Sequence, residues 1–211
     1  WYDMVASMKK IEFNSGQVEV VDACNHVMPN DSIHIWFTDP PYYDAIPYSD
    51  LSDFFFVWLK RFLPTNPILI DPFDDNNELT PKQAEIVQDD ARKFNGGGKD
   101  SKFFEKGMEK AFTEGNRILR EDGIASVVFA HKTTEGWEAL LSGMMNASLT
   151  ITASWPISTE RGARLRARES AALAASVHLV CRPRPGNAPI GEWEDILQQL
   201  PKRMRKWVIR L

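Results

Sequence analysis

The chain has 211 residues, with 25 Lys+Arg against 29 Asp+Glu, a formal net charge of -4 and 43% hydrophobic residues. That balance excludes a disordered chain, which needs low hydrophobicity and high net charge, and excludes collagen-like and disulfide-rich classes. The slight acidic excess also excludes a protein that coats nucleic acid by bulk charge, so any nucleic-acid contact requires a local basic patch. The length suits one domain or one and a fraction. Cys24 and Cys181 lie far apart and form no CxxC pair. They provide no zinc ligand set and read as buried free thiols in a reducing compartment. No apolar run approaches the roughly 20 residues that span a bilayer, and no signal-peptide pattern opens the chain. A soluble, cytoplasmic protein without a membrane partner is expected.

In chain order, Val18-Glu19-Val20-Val21 is short and β-branched, and predicts a buried strand ending at Asp22-Ala23. Turn chemistry at Pro29-Asn30-Asp31-Ser32 precedes a second strand, Ile33 to Thr38, which runs directly into Asp39-Pro40-Pro41-Tyr42. Ser52 or Asp53 is placed to cap a helix over Phe54 to Leu63, stopped by Pro64. The aromatic residues Phe54, Phe55, Phe56 and Trp58 read as core rather than as a base-stacking platform. From Pro64 to Gly98 the pattern fails among acids and turn formers, with one helix expected over Pro81 to Lys93. Phe103 to Leu119 carries a helical apolar stripe. Ile124 to Ala130 is a strand, Trp137 to Met145 a helix opened by Thr134, and Leu149 to Trp155 and Ser176 to Cys181 are two further strands. Pro183 to Pro189 leads into a short helix, Glu192 to Leu200, followed by a basic tail. Domain 1–185 is therefore expected to hold the function, with 186–211 a linker and short helix.

Strands alternating with helices predict an α/β fold with a mostly parallel sheet. An antiparallel edge pair is expected from the last two strands, joined by an arginine-rich loop. In such sheets ligands bind outside the carboxyl ends of the strands, where Asp22, Asp39, His131 and Trp155 fall.

The strongest chemical signal is Thr38-Asp39-Pro40-Pro41-Tyr42-Tyr43-Asp44 at a strand end. Two prolines fix φ near -65° and remove two backbone donors, leaving the carbonyls of Asp39 and Pro40 rigidly aimed. A carboxylate, a fixed carbonyl and an adjacent aromatic face suit an exocyclic amine, two acceptors for its N–H groups and a ring for the base. The bland alternative is a rigid strand exit.

With this motif the chain resembles the amino-methyltransferases that act on adenine N6 or cytosine N4 with S-adenosylmethionine. More closely it is similar to the large adenine-specific DNA methylase-like proteins that carry an N-terminal domain of unknown function (DUF1156) and a zinc ribbon. The resemblance rests on VVDACNHVMPNDSIHIWFTDPPYYDAIPYSDLSDFFFVWLKR, FEKGMEKAFTEGNRILREDGIASVVFAHK and ITASWPISTERGARLRARESAALAASVHLVCRPR. It implies a partial Rossmann-like methyltransferase fold, with S-adenosyl-L-methionine as cofactor and a flipped adenine in DNA as substrate. It implies catalytic roles for Asp39, Pro40, Pro41 and Tyr42, and cofactor contacts at Asp22, Ala23, Phe37, Thr38 and Asp39. Tyr43 extends the motif toward substrate. The family's glycine-rich cofactor loop has no counterpart upstream of Asp22, and Gly96-Gly97-Gly98 follows no strand. The expectation is therefore the catalytic portion of a longer protein, whose remaining N-terminal part is a partner and which is weak in cofactor binding alone.

Arg161, Arg164, Arg166 and Arg168, with Arg182 and Arg184 beyond, suit phosphate contacts that base extrusion requires. A solvated loop is the alternative. His131 is open between a substrate contact and a structural residue. His26, His34 and His178 have no metal spacing, and no metal site is expected. Two other functions remain beside adenine methylation: a non-catalytic nucleic-acid-binding module, and an N-methyltransferase for cytosine N4, RNA or a protein amide.

Overall fold

The structure, a computed structural model, describes residues 16–43, 46–66, 69–71, 74–94, 97–157 and 176–208. Its elements are β1 (Ile33–Thr38), α1 (Tyr48–Phe62), β2 (Asp89–Phe94), β3 (Gly97–Lys99), α2 (Ser101–Ile118), β4 (Leu119–Phe129), α3 (Thr134–Asn146), β5 (Leu149–Ile157), β6 (Ser176–Pro183) and α4 (Trp193–Val208). The class is α/β. Four strands form the main sheet in the order β1-β4-β6-β5. β1 pairs with β4 in parallel, whereas β6 is antiparallel to both β4 and β5. Three strands thus share one direction, and β5 with β6 makes the expected antiparallel edge pair. The opposed strand, β6, sits one place in from that edge.

Why α2 is a helix is plain from its stripe. Phe104, Met108, Phe112 and Ile118 recur at helical spacing and are all buried. Asp100 caps the helix by accepting from the Phe103 amide at 2.8 Å, a contact of about 1 kcal/mol. The stripe packs against Ala125, Val127 and Phe129 of β4, Leu179 and Cys181 of β6, and Ala139, Leu140 and Met144 of α3. Each large side chain wholly buried there contributes about 1.5–3 kcal/mol. Thr133 caps α3 through the Gly136 amide. Strand alternation sends Trp36 to this core and turns Ile35 and Phe37 to the opposite sheet face, where they are 71% and 62% exposed.

Several expected elements differ. Residues 18–21 form no strand, and Val18 and Val20 are exposed, because no neighbouring strand offers them a ladder among the described residues. α1 begins at Tyr48, directly after Pro47, so Ser52 and Asp53 lie within it rather than at its cap. Nor are Phe54, Phe55 and Trp58 core: they are 66%, 65% and 48% exposed, and α1 buries none of its residues. The expected helix over 81–93 is a turn followed by the β2–β3 hairpin. Tertiary contacts outweigh local preference here, since buried Lys99 donates through Nζ to the carbonyls of Lys82 and Glu85, and Asp89 pairs with Lys99. Gly97, at φ 111°, supplies the left-handed residue that the hairpin needs. β4 starts at Leu119, because its ladder with β1 opens at Ile33 opposite Leu119 and resumes at Ile35 opposite Ile124. The polar residues Arg120 to Asp122 are accommodated as an irregularity in that ladder. α4 continues past Leu200 through Pro201. Cys181 is buried as expected, but Cys24 is only half-buried.

Candidate active site

Asp39 follows the last residue of β1, at the carboxyl end of a strand that pairs with β4 and stands at the edge of the sheet among the described residues. The carboxylate is exposed, while the Pro40 ring beside it is buried and anchors the exit. The chain then turns sharply. Tyr43 donates its amide to the Pro41 carbonyl at 3.1 Å and adopts φ 57°, a left-handed conformation that costs an aromatic residue about 1–3 kcal/mol. It is held there by the Gln88 amide on its carbonyl (3.1 Å) and by edge-on ring contacts with Phe104 and His131. Tyr42 meets Phe129 edge-on, with centroids 5.4 Å apart. Both tyrosine rings of the motif are thereby tied to the core side of the exit.

Two adjoining cavities flank the prolines, sharing Val21, Ala23, Pro41 and Ile86 in their walls. The first, about 300 Å³, lies between the end of β1 and α2. Trp36, Phe112 and Met108 make it largely apolar, and Thr38, Asp39, His26 and Glu114 supply its polar groups. The second, about 410 Å³, is lined by Asp22, Tyr48, Ser49 and Glu85.

The wall of the second cavity is built by cross-bracing between α1 and residues 78–85. Glu85 accepts from the Ser49 amide (3.0 Å) and hydroxyl (2.5 Å), placing a carboxylate at the positive end of α1. Thr80 donates its hydroxyl to the Ser49 carbonyl (2.7 Å) and its amide to Asp53 (3.0 Å). Lys82 pairs with Asp53, and Lys60 donates to the Glu78 carbonyl at 2.6 Å. Burial alone pushes the Asp53 carboxyl up, but the hydrogen bonds from Lys82 and Thr80 outweigh it and hold the group below its ordinary range. Tyr48 stands at the head of this wall. Burial pushes its phenol up, and the negative charges of Asp39 and Glu85 push the same way.

Ala23 and His26 line the first cavity from the segment 22–32, which Arg117 of α2 pins in place. Its guanidinium donates to the carbonyls of His26 (2.8 Å) and Met28 (3.0 Å) and to Asn30 (2.6 Å), and pairs with Glu114 at 2.8 Å. The same Glu114 accepts from the His26 amide at 3.1 Å, and its carboxyl is held low chiefly by the Arg117 bond. Asp22 accepts the Cys24 amide at 2.8 Å, so one of its oxygens is committed to a local turn.

Of the residues expected at the site, Ala23, Thr38, Asp39, Pro40 and Pro41 gather around the first cavity, and Asp22 lines the second. Phe37 lines neither and pairs with His178 on the far sheet face, centroids 5.9 Å apart. His131 stacks on Phe129 and accepts the Thr133 amide at Nδ1 (3.2 Å), filling the space above Gly136. Arg161, Arg164, Arg166, Arg168 and Asp44 lie outside the described residues. Arg182 and Arg184 instead donate to backbone carbonyls, those of Asp122 and Pro189 among them. Tyr48, Ser49, Thr80, Glu85 and Trp36 were not foreseen as site residues. An aromatic residue directly after Pro47 is the one local hint, whereas Thr80 and Glu85 join the site only through tertiary bracing.

No protein-family profile matches the chain, and no curated protein matches it. Among solved structures, one that is similar is TTHA0409 of Thermus thermophilus, provisionally assigned as a DNA modification methylase. Its complex with S-adenosyl-L-methionine gives 13% identity and a TM-score of 0.41, covering 85% of this chain and 60% of that one. Without the ligand the figures are 12% and 0.40, over 85% and 58%. The [4+2]-cyclase SpnF gives 12% and 0.36, over 80% and 56%. The chain thus spans less than two thirds of the solved chains it matches.

Proposed function

We propose that this chain carries the amine-binding part of an S-adenosylmethionine-dependent methyltransferase acting on the exocyclic N6 amine of adenine in DNA. The observation that supports it most is Asp39 at the β1 exit, set beside a buried proline and on the rim of an apolar cavity. An amine donating to the Asp39 carboxylate and to the Pro40 carbonyl has both N–H groups engaged, which directs its lone pair away from them. Held so, it needs little reorganisation to attack in line. The cofactor, when bound, supplies an electrophilic methyl on a sulfonium centre. Transfer of that methyl to the amine nitrogen would release the donor as a neutral thioether, and the Asp39 carboxylate, already accepting from the amine, would take the proton the nitrogen loses. The first cavity is at the small end of ligand pockets, and Ala23, Thr38 and Asp39 are the residues that would hold part of such a group there. Its apolar wall would suit the purine ring of such a group, and the nearby Asp39 charge its sulfonium centre. Arg161, Arg164, Arg166 and Arg168 are proposed to grip phosphates, and the rest of the same protein to complete the cofactor site.

The test is methyl transfer by the intact protein from labelled cofactor to DNA, with nucleosides resolved by mass spectrometry. The expected product is N6-methyldeoxyadenosine, and Asp39→Ala is expected to lower the rate by about 100-fold or more. Full activity of Asp39→Ala would remove Asp39 from its role. Product on cytosine N4, RNA or a protein amide would keep the chemistry and change the substrate. DNA binding that needs Arg164 and Arg166 but never Asp39, with no methylation, would replace the enzyme by a binding module.

A further inference from the structure

Both tyrosines of the β1 exit are engaged on the core side, Tyr42 by Phe129 and Tyr43 by Phe104 and His131. Neither lines the two cavities, although the chemistry of the exit calls for a ring beside Asp39. Tyr48 is the aromatic side chain that lines the second cavity, and it is 39% exposed, so its ring is accessible. The helix start that carries it is braced. The next residue, Ser49, is bound through both amide and hydroxyl to Glu85, and its carbonyl accepts from Thr80. Pro47 before it fixes the approach of the chain. Around the ring the carboxylates are Asp22 and Glu85 in the same cavity and Asp39 at its neighbour's rim. Among the described residues, no Lys, Arg or His lines this second cavity. A phosphate would meet only like charge there. A planar, neutral, amine-bearing heteroaromatic ring meets an aromatic face and hydrogen-bond acceptors.

We propose that Tyr48, rather than Tyr42, is the substrate-contact ring of this site, holding the acceptor base in the second cavity so that its exocyclic amine reaches Asp39. This rests on the methyltransferase reading above. The consequence is a division of labour across Pro41: the base on the α1 side, the methyl donor on the α2 side.

The experiment compares Tyr48→Ala, Tyr48→Leu and Tyr48→Phe with Tyr42→Leu in the intact protein. Steady-state methylation of an adenine-containing oligonucleotide is measured against varied acceptor and varied S-adenosylmethionine. Loss of a base-stacking ring corresponds to about a tenfold or larger effect. Tyr48→Ala and Tyr48→Leu should therefore raise the acceptor KM about tenfold with the cofactor KM unchanged, and Tyr48→Phe should stay within about twofold of wild type. Should the alanine variant fail to fold, the leucine variant, which keeps the helix start and much of the volume, carries the comparison. An unchanged acceptor KM in Tyr48→Leu would overturn the inference, as would equal effects on both KM values or a larger acceptor effect from Tyr42→Leu. Absence of any methylation by the wild-type protein would instead refute the underlying reading, so the two failures are distinct.

Discussion

Gly115 gives a quantitative test of how the first cavity is made. It lies in the last turns of α2, and a Cβ added there would fall 2.5 Å from Trp36 Cε2, with Cη2 and Cζ2 nearer still. Carbon atoms rest at about 3.5–4.0 Å, so the indole would have to move by about an ångström or more. Overpacking of this kind costs about 1–3 kcal/mol. Against it stands the helix preference of alanine over glycine, about 1 kcal/mol. Three indole carbons are overlapped at once, which puts the clash at about 2–3 kcal/mol, so after the helix gain Gly115→Ala should destabilise by about 1–2 kcal/mol. Trp36 and Gly115 both line the cavity, so on the methyltransferase reading proposed above a displaced indole should also weaken cofactor binding. Urea unfolding followed by circular dichroism gives the first quantity, with an unchanged slope expected, and calorimetry with S-adenosylmethionine on the intact protein gives the second. The double variant Trp36→Phe/Gly115→Ala should lose less than the sum of its parts, because the shorter ring vacates the contact. If Gly115→Ala is as stable as wild type, or more so, helix propensity governs the site and the packing argument is wrong.

Asp53 has a folded-state carboxyl below its ordinary value. Its contribution to stability is therefore present above the unfolded pKa of about 3.9 and is lost as pH falls through the folded value. Asp53→Asn should destabilise by about 2 kcal/mol near neutrality and flatten this part of the acid limb of a stability–pH profile. An unaltered profile would show that the Lys82 and Thr80 contacts do not hold in solution. Arg117→Ala should free residues 26–32, read as faster hydrogen exchange at the amides of His26, Asp31 and Ser32 with α3 amides unaffected. Equal acceleration in α3 would mean that Arg117 supports the whole core instead. Burial pushes the Cys181 thiol up to about 12, so iodoacetamide at mildly alkaline pH should leave it unmodified in the folded protein and alkylate it readily in urea. Rapid native labelling would contradict its burial.

The stripe of α2 was legible because its pattern is read by the core that buries it, and the strand Ile33 to Thr38 because a short apolar, β-branched run is bounded by turn residues before it and two prolines after it. Apolar character at α1 was equally clear and misled, since Phe54 and Trp58 meet solvent among the described residues. Periodicity states that a face is apolar without stating what covers it. Residues 81–93 failed for the opposite reason: their structure is set by Lys99, Asp53 and Tyr43, which are distant in sequence and leave no local signature. The same holds for the site. The place of Asp39 at a strand exit was legible because two prolines mark that exit in one dimension, whereas Glu85 became visible only when folded against Ser49.

The placement of β6 has a consequence for the order in which the chain can be completed. Among the described residues it is the last of the four sheet strands in chain order, yet it lies between β4 and β5, which are joined there only through it. A nascent chain that ends before Ser176 has its earlier strands in two unpaired pieces, β1 with β4 on one side and β5 alone on the other. The final insertion joins them over long sequence separations, the kind of step that slows folding and exposes edges meanwhile. A late deletion in this protein thus removes the keystone of the sheet and not merely its rim.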